Sequence, residues 1–278
     1  MSRIVVLTEY FDPKHEARRR EIAKSIEVNC RIPETDEIVL FMNSGLKIPK
    51  EIQEALTKEQ HKKIKVHWTR PNTRATYADF FGYCNEHLNG DICVVCNNDI
   101  SFDESISLSK DIKFDNMFLC LTRWDVQRDN SILFKQPATR RRNSHDAWVF
   151  RSPLPENMVF DGYYYIGRPG CDGMTAYLAI CNGMNVSNPS EIIRAKHLHL
   201  SNKRNYSQSD KLHDGNGILA CVYPCNNLYY NSENILYQYP VAKNNVDYIG
   251  DSAIKTILKS KGHFREMWVR AVRRCVNV

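Results

Sequence analysis

Three short segments carry the side chains with which this chain could do chemistry. The first is Asn97-Asn98-Asp99, followed by Ile100, Ser101, Phe102 and Asp103. A carboxylate there can hold Mg²⁺ or Mn²⁺, with water and substrate phosphates in the remaining positions. The competing reading is a turn in which Asn and Asp cap their own backbone. The second is Asp172 in GRPGCDGMTAYLAICNG, between Pro169-Gly170 and a helical stretch whose Met174, Tyr177, Leu178 and Cys181 share one face. It reads equally well as a helix N-cap, with Gly183 as terminator, and as a rigidly held base able to take a proton from an acceptor hydroxyl. The third is KHLHLS, in which strand alternation points His197 and His199 to one side, where one of them can meet Asp99.

Lesser candidates surround these. Asp146 and Trp148 lie in the extended run SHDAWVF, where Trp148 is either a platform for a sugar or base or a core aromatic. Arg140, Arg141 and Arg142 form a phosphate-binding or simply solvated loop. Cys93 and Cys96 have the spacing of half a zinc site, but inside ICVVC they would face opposite sides of a strand, which makes them structural.

Alternating elements must position these residues. RIVVLTEY, EIVLFMN, IKVHWTR and DICVVCNND read as strands, separated by helical patterns at about residues 14–28, 51–56 and 76–88. Strands interleaved with helices imply a mostly parallel twisted sheet flanked by helices. Ligands in such sheets sit beyond the carboxyl ends of the strands, which puts Thr8, Glu9 and Tyr10, Asn43, Thr69 and Arg70, and Asn97 to Asp99 along one edge. Neither GxGxxG nor GxxxxGK[ST] follows the first strand, against a dinucleotide-binding domain or a P-loop NTPase. From Phe118 onward the strands shorten, and no internal repeat or low-complexity linker appears.

Composition bounds the class. With 278 residues, 42% hydrophobic and 25% charged, the chain reads as globular, and no apolar run is long enough to span a membrane. The start reaches acidic residues too early for a secretory signal, and the ten cysteines are expected as thiols, so the expected location is the cytoplasm, a host's if the chain is viral. Residues 252–278 hold seven Lys/Arg against Glu266 alone, the entire excess of +6; the preceding 251 residues balance at 31 against 31. A neutral body argues against a nucleic-acid partner. In the tail, Phe264, Trp268, Val272 and Val276 would give a helix an apolar stripe among arginines, suited either to an anionic membrane or to the protein's own core.

Taken in order, DICVVCNNDISFD, SHDAWVF and FDGYYYIGRPGCDGMTAYLAICNGMNVSNPSEIIRAKHLHLSNKRNY resemble a group of bacterial and giant-virus glycosyltransferases with the GT-A fold, over roughly Arg3 to Tyr206. The resemblance implies a domain over residues 1–206; residues 207–278 fall outside it and read as a helical extension packed against that domain. It implies a metal-dependent, inverting transfer of a hexosyl or pentosyl unit from a nucleoside-diphosphate sugar, a UDP-sugar above all, to a hydroxyl of a growing glycan. In the family a DxD motif holds the metal; here only Asp99 of the triplet is a carboxylate. Asp172 matches the catalytic base, and His199 or His197 the later metal ligand. Thr8, Glu9 and Tyr10, with Arg70 and Asp79, would lie near the nucleotide, Asn97 and Asn98 on the donor, and Asp146 and Trp148 by the acceptor. Two other readings stay open on the residues, a nucleotidyltransferase and an inactive nucleotide- or glycan-binding module.

Overall fold

The computed structural model describes residues 2–127, 130–134, 144–198, 219–229, 234–241 and 245–250. Its first half follows the periodicity of the sequence. β1 (Ile4–Tyr10), β2 (Glu37–Asn43) and β3 (Ile64–Thr69) are parallel, separated by α1 (Glu16–Arg31), α2 (Lys50–Ala55) and α3 (Lys58–His61). α4 (Tyr77–His87) then leads to β4 (Ile92–Cys96), which pairs with β1 on its other side, again in parallel. After β5 (Ile100–Ser101) and a 3-10 helix at Glu104–Asp111 come β6 (Met117–Leu121), β7 (Arg123–Val126), β8 (Ile132–Leu133) and β9 (Ala147–Arg151). α5 (Glu156–Phe160), α6 (Cys171–Cys181), β10 (Asn185–Ser187) and β11 (Ala195–Leu198) follow.

The main sheet has seven strands in the order β10-β6-β9-β4-β1-β2-β3. Every pairing in it is parallel except the two made by β9, which is inserted antiparallel between β4 and β6. Because β9 runs the other way, its beginning meets the carboxyl end of β4, and the Asn97 amide donates to the Asp146 carbonyl across that junction. A second sheet, β5-β11-β7-β8, stands beside the same end.

Strand alternation splits the core into two layers. Val5, Leu7, Phe41, Cys93, Val95, Trp148 and Phe150 face α4 and α6, whereas Ile4, Val6, Leu40, Val94, Cys96 and Val149 face α1. Cys93 and Cys96 thus lie in opposite layers, as the strand reading requires, and the described cysteines are free thiols. α1 buries Ile22, Ala23, Ile26 and Cys30 at helical spacing. Asn29 on its buried face ties the helix to the start of the second sheet, donating to the Ile100 carbonyl and accepting from the Phe102 amide. α4 begins at a capping box in which Thr76 and Asp79 satisfy each other's backbone amides.

Of the helical extension expected after residue 206, the residues described in the structure are extended, not helical. Its described part is a three-stranded antiparallel sheet of β12 (Leu219–Val222), β13 (Ile235–Val241) and β14 (Asn245–Gly250). Leu219, Ala220, Val222 and Ile235 join the core layer beneath α6. Gly173 allows this approach, since a Cβ there would lie 3.0 Å from that of Leu219. The basic stripe from Phe264 to Val276 and the loop Arg140 to Arg142 lie outside the described residues. Among the described residues no helix is long and apolar enough to cross a membrane.

Candidate active site

A cleft of about 620 Å³ opens where β1 and β4 end and β9 begins. It gathers seven of the residues singled out in the sequence, Glu9, Asn97, Asn98, Asp99, Asp146, Asp172 and His197, from β1, the turn after β4, the approach to β9, α6 and β11. It also gathers four arginines that the sequence reading missed: Arg18, Arg74, Arg123 and Arg168.

Asp99 is the hub of one wall. Arg18, in the first turns of α1, donates through Nη1 to Asp99 Oδ2 at 2.7 Å and to Glu21 Oε2 at 2.9 Å, and through Nη2 to Asn98 Oδ1 at 3.1 Å. His197 Nε2 lies 3.1 Å from the same Asp99 oxygen, and its Nδ1 lies 3.4 Å from Asp125 Oδ1. Burial alone would raise the Asp99 carboxyl, but His197 and Arg18 outweigh it and hold it far below the usual carboxylate range. Burial alone would lower His197, but Asp125 and Asp99 raise it to about 9, so the imidazole is protonated at neutral pH.

As it stands, this arrangement holds Asp99 and His197 to each other, and a divalent ion on them would have to displace the imidazole proton and Arg18. A protonated imidazole has no lone pair to offer a metal, and the Asp99 carboxylate already faces two cations. Among the described residues no group of three His, Cys, Asp or Glu side chains could hold a metal ion. His199, the other expected ligand, lies outside the described residues. The cations on this wall are Arg18, held between Asp99 and Glu21, and His197, held between Asp99 and Asp125.

Beyond Asp99, Asp146 Oδ1 accepts from Asn97 Nδ2 at 2.9 Å and from Arg123 Nη1 at 3.3 Å. Arg74 donates to the Ile166 carbonyl at 2.7 Å and stands 3.5 Å from Glu9 Oε2; Glu9 Oε1 accepts from the Ala75 amide at 2.9 Å. Burial raises the Glu9 carboxyl, while Arg74 and that amide oppose the rise. Arg74 and Arg168 both lie over the ring of Tyr165, at 5.7 and 5.2 Å from its centroid, which steadies two flexible cations at the mouth.

Asp172 occupies the first turn of α6, half-buried on the cleft. Gly170 at φ 91° turns the chain into the helix. The His145 amide donates to Asp172 Oδ2 at 3.1 Å, fixing the carboxylate relative to the start of β9. Burial raises its carboxyl above the usual value, against His145 and the Gly173 amide, so it is a stronger base than an exposed aspartate.

Five expected site residues are not on the cleft, each for a physical reason. Thr8 spends its hydroxyl on the Cys96 carbonyl at 3.1 Å. Tyr10 is 3% exposed in the α1 core layer, and burial pushes its hydroxyl up to about 12. Arg70 follows β3, with β1 and β2 standing between that strand and β4, and its carbonyl closes a turn with Thr73. Asp79 is used up capping α4. Trp148 is fully buried, packed edge-on against Tyr77 at 5.0 Å, and cannot offer a face to an acceptor. The alternation that turns Trp148 inward is the same that brings Val149 to the other layer.

No protein-family profile and no curated protein matches the chain. Among solved structures, it is similar to the mannosyltransferase PcManGT from Pyrobaculum calidifontis in complex with GDP-Man and Mn²⁺, at 14% identity and a TM-score of 0.47 over 73% of this chain and 58% of that one. It is also similar to S. aureus TarS 1-349 with UDP-GlcNAc, at 14% identity and 0.46 over 74% and 60%. The 4-diphosphocytidyl-2C-methyl-D-erythritol synthase of Anaerococcus prevotii gives 13% and 0.46 over 75% and 92%. The chain therefore spans less than two thirds of the mannosyltransferase and of TarS. Likeness of this degree says nothing about chemistry, which rests on the cleft's own residues.

Proposed function

We propose that the chain is a glycosyltransferase of the GT-A type that moves a sugar from a nucleoside-diphosphate sugar to a glycan hydroxyl with inversion. One observation carries this reading: a cleft at the carboxyl edge of a mostly parallel sheet joins a cation-lined wall to a partly exposed carboxylate of raised basicity. Guanidinium groups recognise phosphate oxygens, and in a site that excludes water they stabilise the negative charge that grows on a departing diphosphate. Arg74 and Arg168 fill that role beside the nucleotide, while Arg18 and His197 hold Asp99 in place. Asp172 takes the proton of the acceptor hydroxyl as it attacks from the side opposite the leaving group. A UDP-sugar is the first donor to test, and the glycosyltransferase domain is read as residues 1–206.

The test is to incubate the protein with UDP-, GDP-, CMP- and dTDP-sugars and identify what is released. The expected product is a nucleoside diphosphate, formed slowly in water and faster with a glycan acceptor. Pyrophosphate formed from a nucleoside triphosphate and a sugar phosphate would make the chain a nucleotidyltransferase. No release from any donor would make it a binding module.

A further inference from the structure

Asn97 and Asp146 share a 2.9 Å hydrogen bond, and each is left with one buried oxygen, Asn97 Oδ1 and Asp146 Oδ2, that has no partner among the described residues. Asp146 is 5% exposed, and both residues line the cleft. A buried acceptor without a donor costs the fold free energy, so two adjoining ones at a cleft point to something that arrives with donors. Gly167, at φ +76°, lies beside this pair on the cleft wall: a Cβ there would sit 3.9 Å from Asn97 Oδ1 and 3.8 Å from Arg74 Nη2.

The surroundings say which donor. Arg123 Nη1 stands 3.3 Å from Asp146 Oδ1, so the carboxylate already has its cation, and a metal ion would be repelled by the guanidinium. Phosphate oxygens are acceptors and would face the two free acceptors here, while the adjoining guanidinium of Arg123 is already turned to Asp146 Oδ1. Neutral O–H groups satisfy both oxygens without bringing charge. Resting on the glycosyl-transfer reading above, we infer that Asn97 and Asp146 form one specificity element that reads hydroxyls of the transferred sugar. Asp146 then belongs to the donor side, not to the acceptor side that the resemblance implies. Sugars lacking a hydroxyl at the position read are rejected, because the analogue leaves a buried oxygen unpaired.

The test measures calorimetric dissociation constants for UDP-glucose, UDP-galactose and GDP-mannose, for the four monodeoxy counterparts of whichever binds tightest, and for UDP and GDP alone. Wild type is compared with Asp146→Asn, which keeps the contacts to Asn97 and Arg123 while replacing the free oxygen by a donor, and with Asn97→Ser. The expected result is that removing one or two of the sugar hydroxyls weakens wild-type binding about 10²-fold, as for a lost hydrogen bond to a charged group. That penalty shrinks to about threefold or less in both variants, while UDP or GDP alone binds as to wild type. Undiminished penalties in the variants, or an equal loss of UDP and GDP binding, overturn the inference and leave glycosyl transfer standing. So does Mn²⁺ bound by wild type without nucleotide and lost in Asp146→Asn, read by electron paramagnetic resonance. Failure of wild type to bind any donor or nucleoside diphosphate overturns the proposed function, and this inference with it.

Discussion

Replacing Asp99 by Asn preserves the shape of the side chain and leaves two cations facing a neutral amide. The carboxylate is 7% exposed, with Arg18 at 2.7 Å and His197 at 3.1 Å on the same oxygen. Removing one member of a buried ion pair costs about 3–5 kcal/mol. Arg18 retains Glu21 at 2.9 Å and His197 retains Asp125 at 3.4 Å, which places the expected loss at the lower end, about 3 kcal/mol. In a domain of this size each kcal/mol moves the melting temperature by about 2–4 °C, so Asp99→Asn should melt about 6–12 °C lower. The pH dependence has a definite sign. His197 is raised from 6.5 to about 9, so the stability it contributes is complete below pH 6.5 and is lost as pH rises through about 9. Asp99 is depressed, so its contribution is present above the ordinary carboxylate range and lost as pH falls through its folded value. Wild type should therefore weaken between pH 6.5 and 9, and the variant should weaken less over that window, having lost one of the two carboxylates that hold the imidazole proton. Calorimetric melting at constant ionic strength, with and without EDTA, measures all of this. A drop of under about 3 °C, or a wild-type melting temperature that falls on adding EDTA, would refute the claim that Asp99 is committed to Arg18 and His197.

Asp172→Asn should leave the melting temperature within a few degrees and lower turnover by about 10²–10⁴-fold, the range for loss of a general base. Because its carboxyl is raised, wild-type turnover should fall on acidification at a pH above the ordinary aspartate range, and this acid limb should vanish from the residual rate of the variant. The same raised value makes Asp172 cost stability as pH rises through it, so the variant should gain on wild type above that pH. Stripping divalent ions should change nucleoside-diphosphate release by less than about tenfold, a loss comparable to about 1.4 kcal/mol or less of transition-state stabilisation. Gly162→Ala would bring a Cβ to 2.8 Å from the Ala78 amide nitrogen and 2.9 Å from the Met158 carbonyl, and should cost about 1–3 kcal/mol by urea unfolding.

Period and burial made the scaffold legible. The unbroken run Ile92–Cys96 could only be a strand covered on both sides, and the residues after it had to fall at the cleft edge. Asp172 was equally readable, since a turn containing glycine and proline before an apolar helix fixes its place. Periodicity leaves Trp148 open between a platform and a core aromatic, because it says that a strand side chain alternates but not which face is covered, and here both are. Tyr10 failed for the same reason. The arginines were invisible for a different one: Arg18, Arg74, Arg123 and Arg168 come from α1, the loop before α4, β7 and the loop before α6, and share no spacing. One signal was available. A helix entered directly from the carboxyl end of β1 must begin at the ligand edge, so Arg18 at its start, three residues before Glu21, was placed there by connectivity alone.

The antiparallel insertion of β9 also ties two distant parts of the chain together at the cleft. β4 and β9 come together from distant parts of the chain, and at the cleft end their ladder is closed by the Asn97 amide on the Asp146 carbonyl and by the side-chain bond beside it. A ligand that bridges those two residues extends the ladder by one rung made of something other than protein. Its binding energy is then spent partly on closing the sheet, and amide hydrogens of Ala147 to Val149 should exchange more slowly when the cleft is filled, while those at the far end of the strand keep their rate.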